Sequence, residues 1–413
     1  MLRILFCQLH NIIMRQKNRT TKEKEKQKMA KKFLKSISIL SIIAILLVFC
    51  SINALGAETA SDGVAAAGYA FGKISLSGSI LSQTAASTSN SRLDANTLKN
   101  MKLYVGGMPF GVKFLTAGVL IVGFNDNALE SEKNPARSAG LRQNDIILSV
   151  DGREIVGAAE LNEIISGGNG KPLTVKYSRE GKEYTTTLTP IFSQSEGRYS
   201  TGAYVRDSGA GIGTVTFIIP ETRAFGGLGH GICDSETGRL IPMQRGSVVG
   251  VKINGIVKGL SGSPGEVKGY FNSGKTGTLL GNTDCGVYGV FAELPKSICG
   301  EPVSLGLRDS VTSGKAYVYT MLDGDKVEKY EIEIGDIQRD ATGNKCYTVK
   351  VTDKRLIAKT GGIIQGMSGS PIVQNGKLVG AVTHVLINDP TTGYGIFIEN
   401  MLNAANIPMA KAS

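Results

Sequence analysis

Residues Gly361–His384 read GGIIQGMSGSPIVQNGKLVGAVTH, and the fold hangs on how that stretch is understood. Ser368 is bracketed by Gly366 and Gly369. A turn-forming Asn375-Gly376 and the apolar strand Leu378–Val382 follow. A tight turn of this composition is how a β-barrel protease presents a serine nucleophile. Small neighbours admit the substrate carbonyl, and the backbone N–H groups of Gly366 and Ser368 can form an oxyanion hole. The same residues also suit a plain Gly/Ser turn in a β-rich domain, so the rest of the chain has to discriminate.

A chain of 413 residues holds two or three domains, each with its own core. Glycine is frequent (53), aromatic residues are few and tryptophan is absent, which favours glycine-punctuated β structure over helix bundles. The net charge of +11 points at first to nucleic acid, but its location removes that reading. Residues 1–35 carry eleven Lys or Arg against two acids, so +9 lies there and +2 remains for everything after Lys35. No basic nucleic-acid face is expected.

The positive charge precedes an uncharged apolar run, Ser36–Leu55, long enough to span a bilayer with the basic flank (1–35) left in the cytoplasm. Gly56-Ala57 leave a cleaved signal peptide and an uncleaved anchor (36–57) both open. Met29 begins a compact signal of its own, so the first 28 residues are an upstream start in one reading. Of six cysteines, Cys7 and Cys50 precede or lie in the apolar run. Cys233, Cys285, Cys299 and Cys346 contain no CxxC pair, and their disulfide connectivity is not readable from spacing. A zinc site would have to combine His230, Cys233 and Cys285 without a recognised spacing. No metal and no cofactor is expected.

Residues 58–100 are rich in Ala, Ser, Thr, Gly and Asn without a sustained hydrophobic period, and read as a flexible extracytoplasmic linker open to proteolytic nicking. From 101 to 192 the pattern changes. A strand Gly118–Phe124 is followed by a short helix over Pro135–Ala139, the Gly140-Leu141 turn, the apolar run Asp145–Val150 and a hairpin at Asp151-Gly152. A helix at Ala158–Ser166 and strands at Leu173–Tyr177 and Tyr184–Leu188 complete a region that closely resembles the PDZ family. Such a domain takes an extended peptide as an added strand. Met108, Pro109, Phe110 and Gly111 lie where the family's carboxylate-binding loop would fall. The ligand is a substrate, another protein's terminus or this chain's own terminus. After a connector near 193–198, residues 199–413 read as short strands between Gly turns, with one helix at Glu399–Ala405, and predict a barrel-like all-β domain.

A serine nucleophile needs a base and a group to orient it. Only three histidines exist. His10 precedes the membrane segment, His384 ends the strand behind Ser368 as a structural or cleft residue, and His230 is flanked by glycines in GGLGHGICD (226–234). A second motif, Gly259-Leu260-Ser261-Gly262-Ser263-Pro264, matches Gly366–Pro371 at five of six positions but lacks the long apolar strand behind it. Ser370 also has small neighbours.

Taken together, the apolar segment, the PDZ-like region, Tyr204–Thr214 (YVRDSGAGIGT), Gly229-His230-Gly231-Ile232 and Gly362–Tyr394 resemble the stage IV sporulation protein B family, the signalling serine peptidases of endospore-forming bacteria. The likeness runs over residues 29–413. It implies a mainly β chain with a PDZ domain followed by a chymotrypsin-like β-barrel serine protease domain. Carried over by position, Ser368 is the nucleophile, His230 the base and Asp353 the orienting acid; Asp234, Asp284 and Asp389 compete with Asp353 when the residues alone are weighed. Tyr204 departs from the Trp expected there. The resemblance further implies export from the forespore into the space between its two membranes. There the protein would cleave itself and the extracytoplasmic part of a membrane protein that inhibits the intramembrane protease processing the late mother-cell sigma factor. A membrane-tethered PDZ scaffold that binds without cleaving is the alternative.

Overall fold

The computed structural model describes residues 95–125, 134–298 and 300–405. The basic leader, the predicted membrane segment and the linker up to residue 94 lie outside the described residues. No helix among the described residues is long and apolar enough to cross a membrane.

Helix α1 (Ala95–Asn100) and strand β1 (Lys102–Val105) come first, so the last residues of the predicted linker are ordered. Strand β2 (Pro109–Phe124) then serves two cores. Phe110, Val112 and Phe114 face one, Val119 and Ile121 the other. Side chains two apart share a face of a strand, and against β9 the step from Leu115 to Leu120 on β2 faces only the step from Ser208 to Arg206. The break falls between Leu115 and Leu120, where Gly118 takes φ +97° and a Cβ would lie 2.5 Å from Ile147 O.

Beyond this bulge come α2 (Pro135–Ser138), β3 (Ile146–Val150), β4 (Arg153–Glu154), α3 (Ala158–Gly167), β5 (Leu173–Arg179) and β6 (Lys182–Leu188), then the hairpin β7 (Ile191–Ser193) and β8 (Arg198–Ser200). Local chemistry explains most of them. Asn134 caps α2 by accepting from Arg137 N, with Pro135 in the first turn. Asp151 and Gly152, both at positive φ, make the two-residue turn between β3 and β4. Leu161 and Ile165 of α3 pack with Val119, Ile121 and Val175. These are the helices and strands predicted for a PDZ domain.

Strand β9 (Ala203–Ile218) comes back alongside β2. It runs antiparallel to β2, from Ala203 opposite Phe124 to Thr214 opposite Pro109. The PDZ-like elements therefore lie between two paired strands of the first barrel, and Phe110, Val112 and Phe114 pack in that barrel's core. With β10 (Ala224–Gly227), β11 (Met243–Val257), β12 (Glu266–Thr283) and β13 (Gly286–Phe291), the pairings run β2–β9–β10–β13–β12–β11 and back to β2, closing a six-stranded ring. Phe110, Phe225, Phe291 and Val248 fill it, the Phe110 and Phe225 rings meeting edge to face at 5.5 Å.

A second closed barrel follows β14 (Val303–Ser304). Its strands are β15 (Gly314–Thr320), β16 (Glu328–Gly335), β17 (Tyr347–Val351), β18 (Pro371–Gln374), β19 (Lys377–Leu386) and β20 (Asp389–Phe397), joined in the order β15-β16-β17-β20-β19-β18. Helix α4 (Lys354–Thr360) lies between β17 and β18, and α5 (Ile398–Ala405) ends the described chain. Val318, Ile332, Val349, Ile372, Val382 and Ile396 belong to its core, which Leu98, Leu103 and Val105 from the start of the chain also enter.

Candidate active site

The Ser368 turn belongs to the second barrel but is gripped by the first. Thr214 N donates to Ser368 O at 3.0 Å and Thr214 Oγ1 to Gly366 O at 2.8 Å, while Thr216 Oγ1 donates to Gly369 O at 2.7 Å. Behind it, Gly369 N–H donates to Val382 O on β19. Gly369 (φ +91°) has no room for a side chain: a Cβ would lie 2.1 Å from Thr214 O and 2.3 Å from Leu228 N. Sequence reading missed both threonines, because their partners lie more than 150 positions away. The N–H groups of Gly366 and Ser368 have no acceptor among the described residues, whereas Met367 N–H donates to Ile364 O. Two donors thus remain for an oxyanion.

The same junction brings in His230. It follows Leu228, which abuts Gly369, and Gly229, where a Cβ would lie 2.8 Å from Thr383 Cγ2. Thr383 O accepts the Ser368 hydroxyl at 2.9 Å. The next residue, His384, has its ring 5.2 Å from that of His230. The Ser368 turn, the segment carrying His230 and the end of β19 carrying His384 are thus packed together where the barrels join. Asn282 holds the loop after His230, accepting from Ile232 N and donating to Ile232 O and Ile241 O.

His230 Nδ1 lies 2.9 Å from Gly231 O. A carbonyl only accepts, so Nδ1 carries the proton and Nε2 is left as an acceptor, the tautomer a general base requires. Burial holds the His230 pKa below its ordinary value, with the Gly231 bond opposing it. Burial, then the nearby His230 and Lys345, push His384 down to about 4; its Nδ1 is buried without a partner. Both rings are neutral at pH 7.

The predicted orienting acid does not reach this site. Asp353 is the N-cap of α4: its side chain accepts from Arg355 N (2.9 Å) and Glu331 N (3.2 Å), and it pairs with Arg355 Nη2 at 2.9 Å. The Arg355 bonds hold its carboxyl down at about 2. The capping signal was present in the sequence, as an Asp before KRLIAKT with Gly361 after it. None of the competing acids replaces it. Asp234 is buried on Arg206 and on the amides of Glu236 and Thr237, Asp284 is exposed in the β12–β13 turn, and Asp389 accepts from Thr391 and Thr392. The backbone carbonyl of Gly231 is what orients His230.

One further prediction is corrected. Met108, Pro109, Phe110 and Gly111 are no carboxylate-binding loop. Met108 and Phe110 are buried in the first barrel's core, and the strand from Pro109 is paired with β9 on one side and β11 on the other. Ser261, in the near-copy of the motif, sits in a two-residue hairpin turn closed by reciprocal Leu260–Ser263 bonds, and its hydroxyl donates to Asn388 O. Ser370 is fully buried.

The family model described as SpoIVB peptidase S55 matches residues 197–402, and a PDZ domain model matches 111–189. The "Probable protease eep" of Enterococcus faecalis is 35% identical over 77 residues, which is 19% of this chain and 18% of that protein; the chain thus spans under a fifth of that relative's length. Among solved structures, the active form of the Rv3671c protease of M. tuberculosis aligns at 16% identity and TM-score 0.28, over 49% of this chain and 78% of that one. The PDZ domain of the SdrC-like protein Lmo2051 of Listeria monocytogenes aligns at 19% identity and TM-score 0.19, over 22% and 87%.

Proposed function

Because this chain belongs to the PDZ-containing proteases of the SpoIVB type, we propose that it is a serine endopeptidase working through a Ser368–His230 dyad. The observation that carries this is the packing of the His230 segment, its Nδ1 on a carbonyl, against the strand end that receives the Ser368 hydroxyl, beside two unspent backbone donors. In the proposed reaction the Ser368 hydroxyl turns from Thr383 O to His230 Nε2 and attacks the scissile carbonyl as Nε2 takes its proton. The N–H groups of Gly366 and Ser368 hold the oxyanion. The His230 imidazolium then protonates the leaving amine, and water releases the acyl group by the same steps.

The finer role rests on the family resemblance. The proposed substrate is the extracytoplasmic part of a membrane protein that restrains intramembrane processing of a late mother-cell sigma factor, with self-processing in the linker before residue 95. The basic leader and apolar run support placement at the forespore inner membrane, facing the intermembrane space. The PDZ domain would recruit a peptide of a partner or a terminus of this chain. A scaffold that binds without cleaving is the second reading, favoured by one observation: the Ser368 hydroxyl is bonded to Thr383 O and not to a histidine. A fluorophosphonate probe separates the two. Labelling mapped to Ser368 by peptide mass spectrometry, and lost in His230→Ala, is the expected outcome; a folded protein that never labels is a scaffold.

A further inference from the structure

The hairpin between β11 and β12 does more than turn. It reaches from the first barrel onto the second and is fastened at three places. Gly259 N donates to Thr360 O; Val267 N donates to Gln365 O while Gln365 N donates to Gly265 O; and Gly262 N donates to Ile387 O, all at 2.8 Å. The Ser261 hydroxyl adds the bond to Asn388 O. This strap therefore touches both the entry to the nucleophile turn, one residue before Gly366, and the β19–β20 turn.

Between those anchors lies an open strand edge. Along Gly380–Leu386, β19 pairs with β20. Its other edge is taken by β18 as far as Ala381, then by Gly369 and Ser370 at Val382. Thr383 O receives the Ser368 hydroxyl. From His384 to Leu386 that edge has no backbone partner among the described residues. A strand rises about 3.3 Å per residue, so the edge runs about 10 Å from the nucleophile before the strap closes it at Ile387. An extended peptide added there antiparallel to β19 would run toward Ser368, so residues over Leu386 and Ile387 would precede the scissile bond by three or four positions.

Large apolar side chains gather at that far end. Leu260 on the strap is 68% exposed and Ile387 59%, while Leu386 and Val257 are also solvent-facing. Single exposed apolar residues are ordinary, but four on two segments bonded to each other, at the end of an unpaired edge leading to a nucleophile, fit an apolar partner. We propose that the strap builds an apolar subsite, and that the preferred substrate is an extended segment with a large aliphatic or aromatic residue three or four positions before the cut. The proposal rests on Ser368 being the nucleophile.

The test uses the full-length chain in detergent, a random peptide mixture and sequencing of the products. Leu, Ile, Val, Met and Phe should be enriched at the third or fourth position before the cut. The Leu260→Ser/Ile387→Ser double variant should lose that enrichment, its kcat/KM for Leu-bearing peptides falling about tenfold, with fluorophosphonate labelling of Ser368 unchanged. Normal labelling with no apolar preference, or a preference kept in the double variant, overturns the subsite and leaves the nucleophile standing. No labelling and no cleavage in the unaltered chain overturns both.

Discussion

Two copies of nearly one hexapeptide, Gly259–Pro264 and Gly366–Pro371, have opposite fates in this molecule. Leu260 is exposed where Met367 is buried, and Ser263 is exposed where Ser370 is buried. Gly262 (φ +81°) faces open space at a hairpin tip, whereas Gly369 (φ +91°) is pressed against Thr214 and Leu228. Both copies make the tight turn that Gly and Ser favour. Both turns bond across the two barrels, but only the Ser368 turn is buried at their junction, with a histidine-bearing segment and free amides beside it. The motif specifies a bend; the packing around it specifies chemistry.

The widest separation should appear in catalysis. Ser368→Ala should reduce peptide cleavage by about a million-fold, as loss of a nucleophile does elsewhere, while Ser261→Ala stays within about twofold. Cleavage of one peptide substrate by both variants checks this, and the reverse ranking would exchange the two copies. Asp353 sharpens the point from the other side. An orienting acid is worth about 10⁴ in kcat, but an N-cap is worth only about 1 kcal/mol of stability. Asp353→Ala should therefore lower the urea midpoint and leave kcat within about threefold; a thousandfold loss would return Asp353 to the machinery.

Stability should separate the glycines next. Gly369→Ala adds a clash to a left-handed backbone and should cost roughly 2–4 kcal/mol. Gly262→Ala pays only the left-handed penalty, about 1 kcal/mol. Equal costs by chemical denaturation would mean that the Ser368 turn is not clasped as described.

The smallest effects concern pH. A base must be neutral, and His230 is held below its ordinary pKa, so the acid limb of kcat/KM should lie below pH 6.5. His384 falls to about 4 in the folded chain from 6.5. Between those values the unfolded chain binds more protons, so stability falls as pH drops from 6.5 toward 4. His384→Gln should flatten that slope in urea midpoints measured across the window, whereas an unchanged slope would place its origin in another group.

How far the molecule was legible follows from the reach of each signal. The PDZ region was read nearly element by element because its signals are local: Asn134 and Pro135 opening a helix, Asp151-Gly152 closing a hairpin, Leu161 and Ile165 on one helical face. The last helix is legible for the same reason. The cap at Asp353 is an equally local signal, and it competes with the role the family resemblance implies for that residue. The insertion of the PDZ domain was hidden, since it depends on β2 pairing with β9 across the whole domain between them.

By itself the sequence determined the β-rich character, the PDZ module, Ser368 on its turn and the short list of histidines. Composition, turn residues and scarcity act within a few positions or on the chain as a whole. Tertiary structure alone decided which hexapeptide is buried against both barrels, and that a strap crosses from the first barrel onto the second. Each of those rests on hydrogen bonds between segments remote in sequence, and strand register across such distances is set by burial of whole faces. That is why the stretch Gly361–His384 could offer a candidate nucleophile while the residues packed around it had to be found in space.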